Sequence, residues 1–292
     1  MARLLALLAL VVLVAGCTAL GGGSGVVIER FDPDFTTVFP GEPLTFRFKV
    51  RNTGSFDAGG GDLRLLGMEE WMQGGSDLRC QLPQRLLAPV ASAGTPGDTF
   101  DCALTATAPQ VPQGISVTYR PTARVSYGYQ SATLAELTLG TRQEMIARQH
   151  NGQPLPAQTT AASRSPIAIA VQPEGPVRVY REGAVVSPLR ITVTNVGGGV
   201  VCALDEGGIT ACPTDSSAWN KISITTTLAG QLVEACSREL TLSGGSNTIV
   251  CDLEVSDLPA GGIVQKTVEV QSTYGYFTDA ERQVTVQWRP GA

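Results

Sequence analysis

Only one imidazole is present in the 292 residues, His150, so any Ser-His-Asp or Cys-His arrangement would have to use it. It ends a short polar segment just before Asn151-Gly152, where little would orient or desolvate a base, and it reads as a solvated linker residue. The acidic pairs Glu69-Glu70, Asp32-x-Asp34 and Asp205-Glu206 have the residue types of glycosidase acids or calcium ligands. Neighbouring acids on a strand point to opposite faces, and Asp32-Pro33-Asp34 lacks the further acids of a calcium loop, so all three read as solvated turns. No C-x-x-C pair occurs, so no metal site is expected. No cofactor is expected either. Gly59-Gly60-Gly61 and Gly197-Gly198-Gly199 follow strand-like runs without opening a helix that would receive a phosphate, and they read as turn glycines. The aromatics Trp71, Tyr127, Tyr129, Tyr274 and Tyr276, with Phe277, leave two readings open. Exposed beside glycine they would stack on a sugar or a protein partner; buried, they would fill a core.

The remaining chemistry is sulfur chemistry, and the N-terminus says where it takes place. Arg3 precedes an apolar run from Leu4 to Val14, then Ala15, Gly16 and Cys17, the layout of a secretory signal. The run is shorter than the roughly 20 residues of a spanning helix, and Gly21-Gly22-Gly23-Ser24-Gly25 ends it. Leu13-Val14-Ala15-Gly16-Cys17 resembles a prokaryotic lipobox, which implies acylation of Cys17, membrane lipid as a partner and a place on the outer face of the cell membrane. Two acyl chains at about 0.8 kcal/mol per buried methylene anchor stably. Residues 1–16 are thus expected to be a signal peptide and 17–25 a lipidated, Gly-rich tether; the alternatives are an ordinary secretory signal with Cys17 incidental, or an uncleaved anchor helix. With Cys17 set aside, six cysteines remain, an even number that in an exported chain reads as disulfides. The net charge of −5 is spread along the chain without a Lys/Arg cluster, so nucleic acid is not an expected partner.

What must position these residues is a duplication. Phe46-Arg47-Phe48-Lys49-Val50-Arg51-Asn52-Thr53-Gly54 is echoed by Leu189-Arg190-Ile191-Thr192-Val193-Thr194-Asn195-Val196-Gly197. Thr99-Phe100-Asp101-Cys102 is echoed by Thr248-Ile249-Val250-Cys251, and Ser126-Tyr127-Gly128-Tyr129 by Thr273-Tyr274-Gly275-Tyr276. The echoes keep their order at offsets of roughly 143–149 residues, far too long for a solenoid repeat, so the chain is a tandem pair. Within each copy Leu44, Phe46, Phe48 and Val50, or Leu189, Ile191 and Val193, alternate with polar residues, as half-buried strands do. The Asn-x-Gly that follows is turn chemistry, since both residues tolerate positive φ. Val284, Val286 and Trp288 are expected to close the second copy as Leu134, Leu137 and Leu139 close the first. Between the copies, Thr141 with Glu144 forms a capping box for a short helix up to His150, and a Pro/Ala/Thr-rich linker follows. Matching repeat positions pair Cys80 with Cys102 and Cys236 with Cys251, which leaves Cys202 with Cys212 as a staple peculiar to the second copy.

The Val-x-Asn-x-Gly turns at Val50–Gly54 and Val193–Gly197, the later Tyr-Gly-Tyr strands and Leu65-Leu66-Gly67-Met68-Glu69-Glu70-Trp71 resemble the immunoglobulin-like modules of prokaryotic cell-surface proteins, nearest the CARDB (cell-adhesion-related) type. The resemblance covers Val26 to Gly140 and Pro166 to Arg289. The second copy departs from the first at Cys202, Cys212 and the loop around Thr214. It implies attachment or spacing at the envelope. The expected architecture is all-β: two tandem immunoglobulin-like β-sandwich domains over residues 26–140 and 166–292, joined by a short helix and linker over 141–165. The expected role is non-enzymatic, structural or adhesive. The alternative is a module that binds a polysaccharide or an envelope protein through the aromatics.

Intact mass of the membrane-extracted protein tests this reading. A diacylglyceryl increment on a chain beginning at Cys17 is expected, with a gain of two hydrogens for each of three bridges on reduction.

Overall fold

The computed structural model describes residues 25–72, 78–154, 156, 158–173, 177–179, 185–204, 212, 216–255 and 263–289. Cys17, the signal segment, Asp205-Glu206 and Thr214 lie outside the described residues. The fold is an all-β sandwich.

Alternation builds the strands as the sequence implies. In the first copy they are β1 (Val26–Pro33), β2 (Thr37–Val38), β3 (Pro43–Asn52), β4 (Ala58–Leu66), β5 (Arg79–Gln81), β6 (Arg85–Leu86), β7 (Thr99–Thr107), β8 (Ser116–Tyr119) and β9 (Thr122–Thr141). Helix α1 (Arg142–His150) follows, over the span the sequence implies, with Arg148 and Glu144 paired one turn apart. The second copy comprises β10 (Thr160–Ala162), β11 (Ile167–Pro173), β12 (Val177–Val179), β13 (Val185–Asn195), β14 (Val200–Cys202), β15 (Lys221–Leu228), β16 (Gln231–Leu232), β17 (Arg238–Thr241), β18 (Ser246–Val255), β19 (Ile263–Glu281) and β20 (Val284–Gln287).

Each copy forms a three-stranded sheet, β1-β3-β7 in the first and β11-β13-β18 in the second. Leu44, Phe46, Phe48 and Val50 of β3 are fully buried, as are Leu189, Ile191 and Val193 of β13. The outward residues between them pair across strands through hydroxyls, Thr45 with Thr105 at 2.9 Å and Thr192 with Thr248 at 3.0 Å. Behind the small sheets runs one large sheet shared by the two copies, ordered β16-β15-β19-β9-β4-β5. The Cys80–Cys102 bridge ties β5 of the large sheet to β7 of the small one, and Cys236–Cys251 ties the turn before β17 to β18. Their Cα separations of 6.6 and 5.3 Å, and 5.7 Å for Cys202–Cys212, suit disulfides. These are the three pairs chosen from the repeat.

The copies are joined more intimately than a linker implies. β9 and β19 pair antiparallel without a slip, from Thr122↔Glu281 through Gly128↔Gly275 to Gly140↔Ile263. β8 and β20 continue the same register, with Tyr119↔Val284 and Ser116↔Gln287. The break between the segments falls at Pro121, which has no N–H to donate, although its carbonyl still accepts from Arg282 N at 3.1 Å. Gly128 and Gly275 are copies of one another, so the ladder has a pseudo-twofold axis through that pair.

This corrects two expectations. Val284 and Val286 are buried, but β20 does not close the second copy. It lies between β2 and β8 of the first. Reciprocally, the distal part of β9 runs beside β10, β12 and β19 of the second copy. Residues 153–165 are not simply a linker either, because Thr160–Ala162 is the strand β10, paired with Thr133–Ala135. In β9 itself Leu137 and Leu139 are buried while Leu134 faces solvent. Each long strand would otherwise expose a row of unpaired backbone groups, and mutual pairing removes both edges.

The glycines repay a closer look at one strand. Gly59-Gly60-Gly61 is not a turn but part of β4, and the register shifts between Gly59 and Gly61, a β-bulge opposite Gly128 and Tyr127. A Cβ on Gly61 would collide with the Ser126 carbonyl. In the second copy Cys202 pairs with Gly275 and the ladder resumes at Ile224↔Ser272. The bulge of one copy is therefore the point where the other inserts residues 203–220.

Because each copy completes the other's sheet, unfolding should be a single transition. Phe46→Ala, costing about 3–5 kcal/mol, should lower the melting temperature read from Trp219 in the second copy as much as that read by global circular dichroism. A second-copy signal that does not move would contradict the exchange.

Candidate functional site

The five aromatics singled out from the sequence converge only in part. Tyr127, Tyr129, Tyr274 and Tyr276 occupy alternate positions of paired strands, so their rings project from one face around the glycine pair. Ring centroids are 5.8 Å apart for Tyr127–Tyr129, 5.9 Å for Tyr127–Tyr276, 6.5 Å for Tyr129–Tyr274 and 6.3 Å for Tyr274–Tyr276. Trp71 stands apart, at the end of the short 3-10 turn Glu69–Trp71, edge-on to Tyr119 at 5.4 Å. All five are at most 2 % exposed. This corrects the platform reading: no ring face among them is open to a sugar or a protein, because the small sheets cover the tyrosines and Trp71 is buried beside Tyr119.

The hydroxyls of the quartet are anchored in matching ways. Tyr276 donates to Asn195 Oδ1 at 2.8 Å and accepts from Gly199 N at 2.8 Å. Its copy Tyr129 donates to Asn52 Oδ1 at 3.3 Å and accepts from Phe56 N at 3.3 Å. Tyr127 donates to the Val26 carbonyl at 3.5 Å, and Tyr274 shares a 2.7 Å bond with Ser131 Oγ, which also reaches the Ile167 carbonyl. The two asparagines therefore act through their side chains. Asn52 Nδ2 donates to Phe56 and Leu86 carbonyls, its Oδ1 accepts from Gly54 N, and Asn195 repeats the turn with Gly199 and Gly197. Positive φ, expected for both turn residues, is found in these turns only at Gly198.

Burial makes the phenolate form costly. It holds the Tyr127 hydroxyl well above the ordinary value, reinforced by the neighbouring Tyr274 and Tyr276, and pushes Tyr129 up to about 12. Tyr274 and Tyr276 are raised for the same first reason, against the hydrogen bonds that favour ionisation. The quartet is thus neutral, hydroxyl-satisfied and closed. Beside it, where the two copies meet, a cleft of about 160 Å³ opens between Val26–Ile28 and Thr278–Ala280, with Tyr127, Tyr276 and Pro166 among its walls.

On the other face of the ladder lies a cluster that sequence reasoning missed. Arg124 and Asp279 are a cross-strand pair with two charge-assisted bonds of 2.9 and 2.8 Å. The guanidinium lies 4.0 Å over the Phe277 ring and 5.9 Å from that of Trp219. The Cys202–Cys212 bridge presses on Gly275, where a Cβ would come within 2.5 Å of Cys202 Sγ. Nothing local in the sequence links Arg124 to Asp279; only the register does.

The acidic candidates are engaged elsewhere. Asp34 pairs with Arg47 at 3.1 Å, Asp32 with Arg282 at 3.8 Å, and Glu70 accepts from the Tyr119 hydroxyl at 2.9 Å. His150 is exposed at the end of α1. Among the described residues no group of three His, Cys, Asp or Glu is placed to hold a metal ion, and no helix is long and apolar enough to cross a membrane.

No family model and no curated protein matches the chain. Among solved structures it is similar to red sea bream transglutaminase, at 13 % identity and a TM-score of 0.21, over 89 % of this chain and 31 % of that one. It is also similar to the secreted serine protease VesC from Vibrio cholerae, at 9 % identity and a TM-score of 0.21, over 91 % and 52 %. The chain thus spans about a third and a half of those proteins.

The raised tyrosines fix the alkaline behaviour. A folded-state pKa above the unfolded value near 10 gives stability that is whole below pH 10 and lost as pH rises toward 12. Tyrosinate absorbance should therefore appear together with unfolding, and Tyr276→Phe, which leaves Asn195 and Gly199 short of a partner, should cost about 1–3 kcal/mol. Titration of all six tyrosines as free phenols, with the fold intact, would contradict the packing.

Proposed function

We propose that this chain is a non-enzymatic surface lipoprotein. Acylated Cys17 holds it to membrane lipid on the outer face of the cell, and its two immunoglobulin-like halves serve as one stiff spacer or adhesive body toward an envelope protein or a polysaccharide. The observation that supports it is the exchanged ladder. Nineteen paired positions of β9 with β19 and four of β8 with β20 keep one register across the break at Pro121, and at about 3.3 Å per residue they span about 80 Å, an architecture suited to bearing contact and holding distance. Among the described residues, Asp32, Asp34 and Glu70 are engaged in ion pairs or a hydroxyl bond, and the five aromatics in packing. The resemblance to CARDB-type modules points the same way, and fold alone does not carry function.

The contact surface for a partner then consists of outward strand faces and loops, not of the buried rings. Cys17→Ser should move the protein from the membrane fraction to the soluble exported fraction and remove the lipid mass increment while leaving its melting temperature unchanged. A Cys17→Ser protein that stays membrane-bound would refute lipid anchorage.

A further inference from the structure

The place where the tether meets the fold has a consequence for posture. Gly25 precedes β1, and its carbonyl accepts from Thr53 N at 2.9 Å. In the second copy the Pro166 carbonyl accepts from Val196 N at 2.8 Å. Gly25 and Pro166 are therefore equivalent positions, and they touch: a Cβ on Gly25 would come within 2.7 Å of Pro166 Cγ and 2.6 Å of the Tyr127 hydroxyl. Two equivalent residues in contact must lie at the pseudo-twofold axis. The Tyr127 and Tyr276 rings, which flank the central Gly128↔Gly275 pair, lie beside them. From this point β1 and β11 run away in opposite senses, and the ladder ends at Ser116↔Gln287 on one side and Gly140↔Ile263 on the other.

The chain thus enters the body at its middle, not at an end. We propose that the protein sits on its membrane as a crossbar, attached at its midpoint, with its long axis within about 45° of the lipid surface and its two far ends at the same mean height. This rests on the reading of Cys17 as the lipid anchor. The lengths decide the posture. Each arm of the ladder spans twelve residues, about 40 Å. From Cys17 to Gly25 there are eight, at most about 28 Å fully extended. An upright bar would need its lower arm to fit beneath its point of attachment, and the tether is too short to allow it. Tilting beyond about 45° from the membrane plane would drive one end into the bilayer. A chain entering at one end of the body would allow the upright posture that two tandem domains on a stalk suggest; entry at the axis forbids it. The functional corollary is bivalence: two related ends face neighbouring molecules in the plane of the envelope.

The experiment uses the full-length lipidated protein in phosphatidylethanolamine/phosphatidylglycerol vesicles with an energy acceptor on a fraction of the headgroups. A fluorescent amino acid is placed at Ile115, just before β8, or at Ile146 in α1, exposed positions at opposite ends of the ladder. The crossbar gives the same transfer efficiency from both positions, and lengthening the tether after Gly22 with a Gly/Ser segment lowers both together. Transfer from one position with none from the other, while the protein remains vesicle-bound, would overturn the crossbar and leave the anchor standing. No vesicle binding by the lipidated protein would overturn the anchor reading and the crossbar with it.

Discussion

The antiparallel ladder centred on Gly128 and Gly275 is the constraint from which the rest of the structure follows. Two side-chain-free positions face each other at the axis, which lets the Cys202–Cys212 bridge lie flat against one face. On the other face the flanking tyrosines pack four rings together; the hydroxyls of Tyr127, Tyr129 and Tyr276 find partners in the turn or strand start of their own copy, and that of Tyr274 finds Ser131 across the ladder. A one-residue slip of this ladder would turn the rings to the outer face and Arg124, Phe277 and Asp279 into the core. Register and core are therefore specified together. Once that pairing is set, β20 has no free edge but that of the first copy, and the distal half of β9 none but that of the second.

The duplication makes an asymmetric molecule out of nearly symmetric parts. Where the first copy keeps a glycine bulge in β4, the second leaves the sheet between β14 and β15 and returns with Trp219 against Phe277 at 5.2 Å. The Cys202–Cys212 bridge lies against Gly275 on that side of the ladder, and the Trp219 ring joins the Arg124–Asp279 pair in a layered contact of cation, aromatic and carboxylate. Such a contact is stronger than an exposed ion pair alone, because the guanidinium is partly desolvated by the rings beneath it.

Much of the fold was legible in the sequence because it is written locally. The period-two runs in β3 and β13 gave buried and wet faces correctly, the Thr141/Glu144 pattern located α1, and the cysteine positions shared by the repeat selected two bridges and left the third as the remainder. Partner choice was not legible. Alternation reports which face of a strand is buried and is silent about which strand lies beside it, so β20 was assigned to its own copy. The Gly59–Gly61 run was misread for a related reason: close approach by the Ser126 backbone demands glycine as firmly as a tight turn does. Of the candidate site, the tyrosines are legible in the sequence, and of the two roles open to them the structure selects the core. Tyr-Gly-Tyr is compatible with an exposed platform or a sealed core, and only the small sheets packed over them decide between the two.

A direct test of the exchanged ladder is the separation of spin labels at Thr118 and Thr285, one in each copy, which pair across β8 and β20 with their hydroxyls 3.2 Å apart. The account requires their Cα atoms to stand at the roughly 5 Å of directly paired residues, so the labels should couple at contact range in the full-length protein. A separation of several tens of ångströms, as two self-contained sandwiches would give, would contradict it.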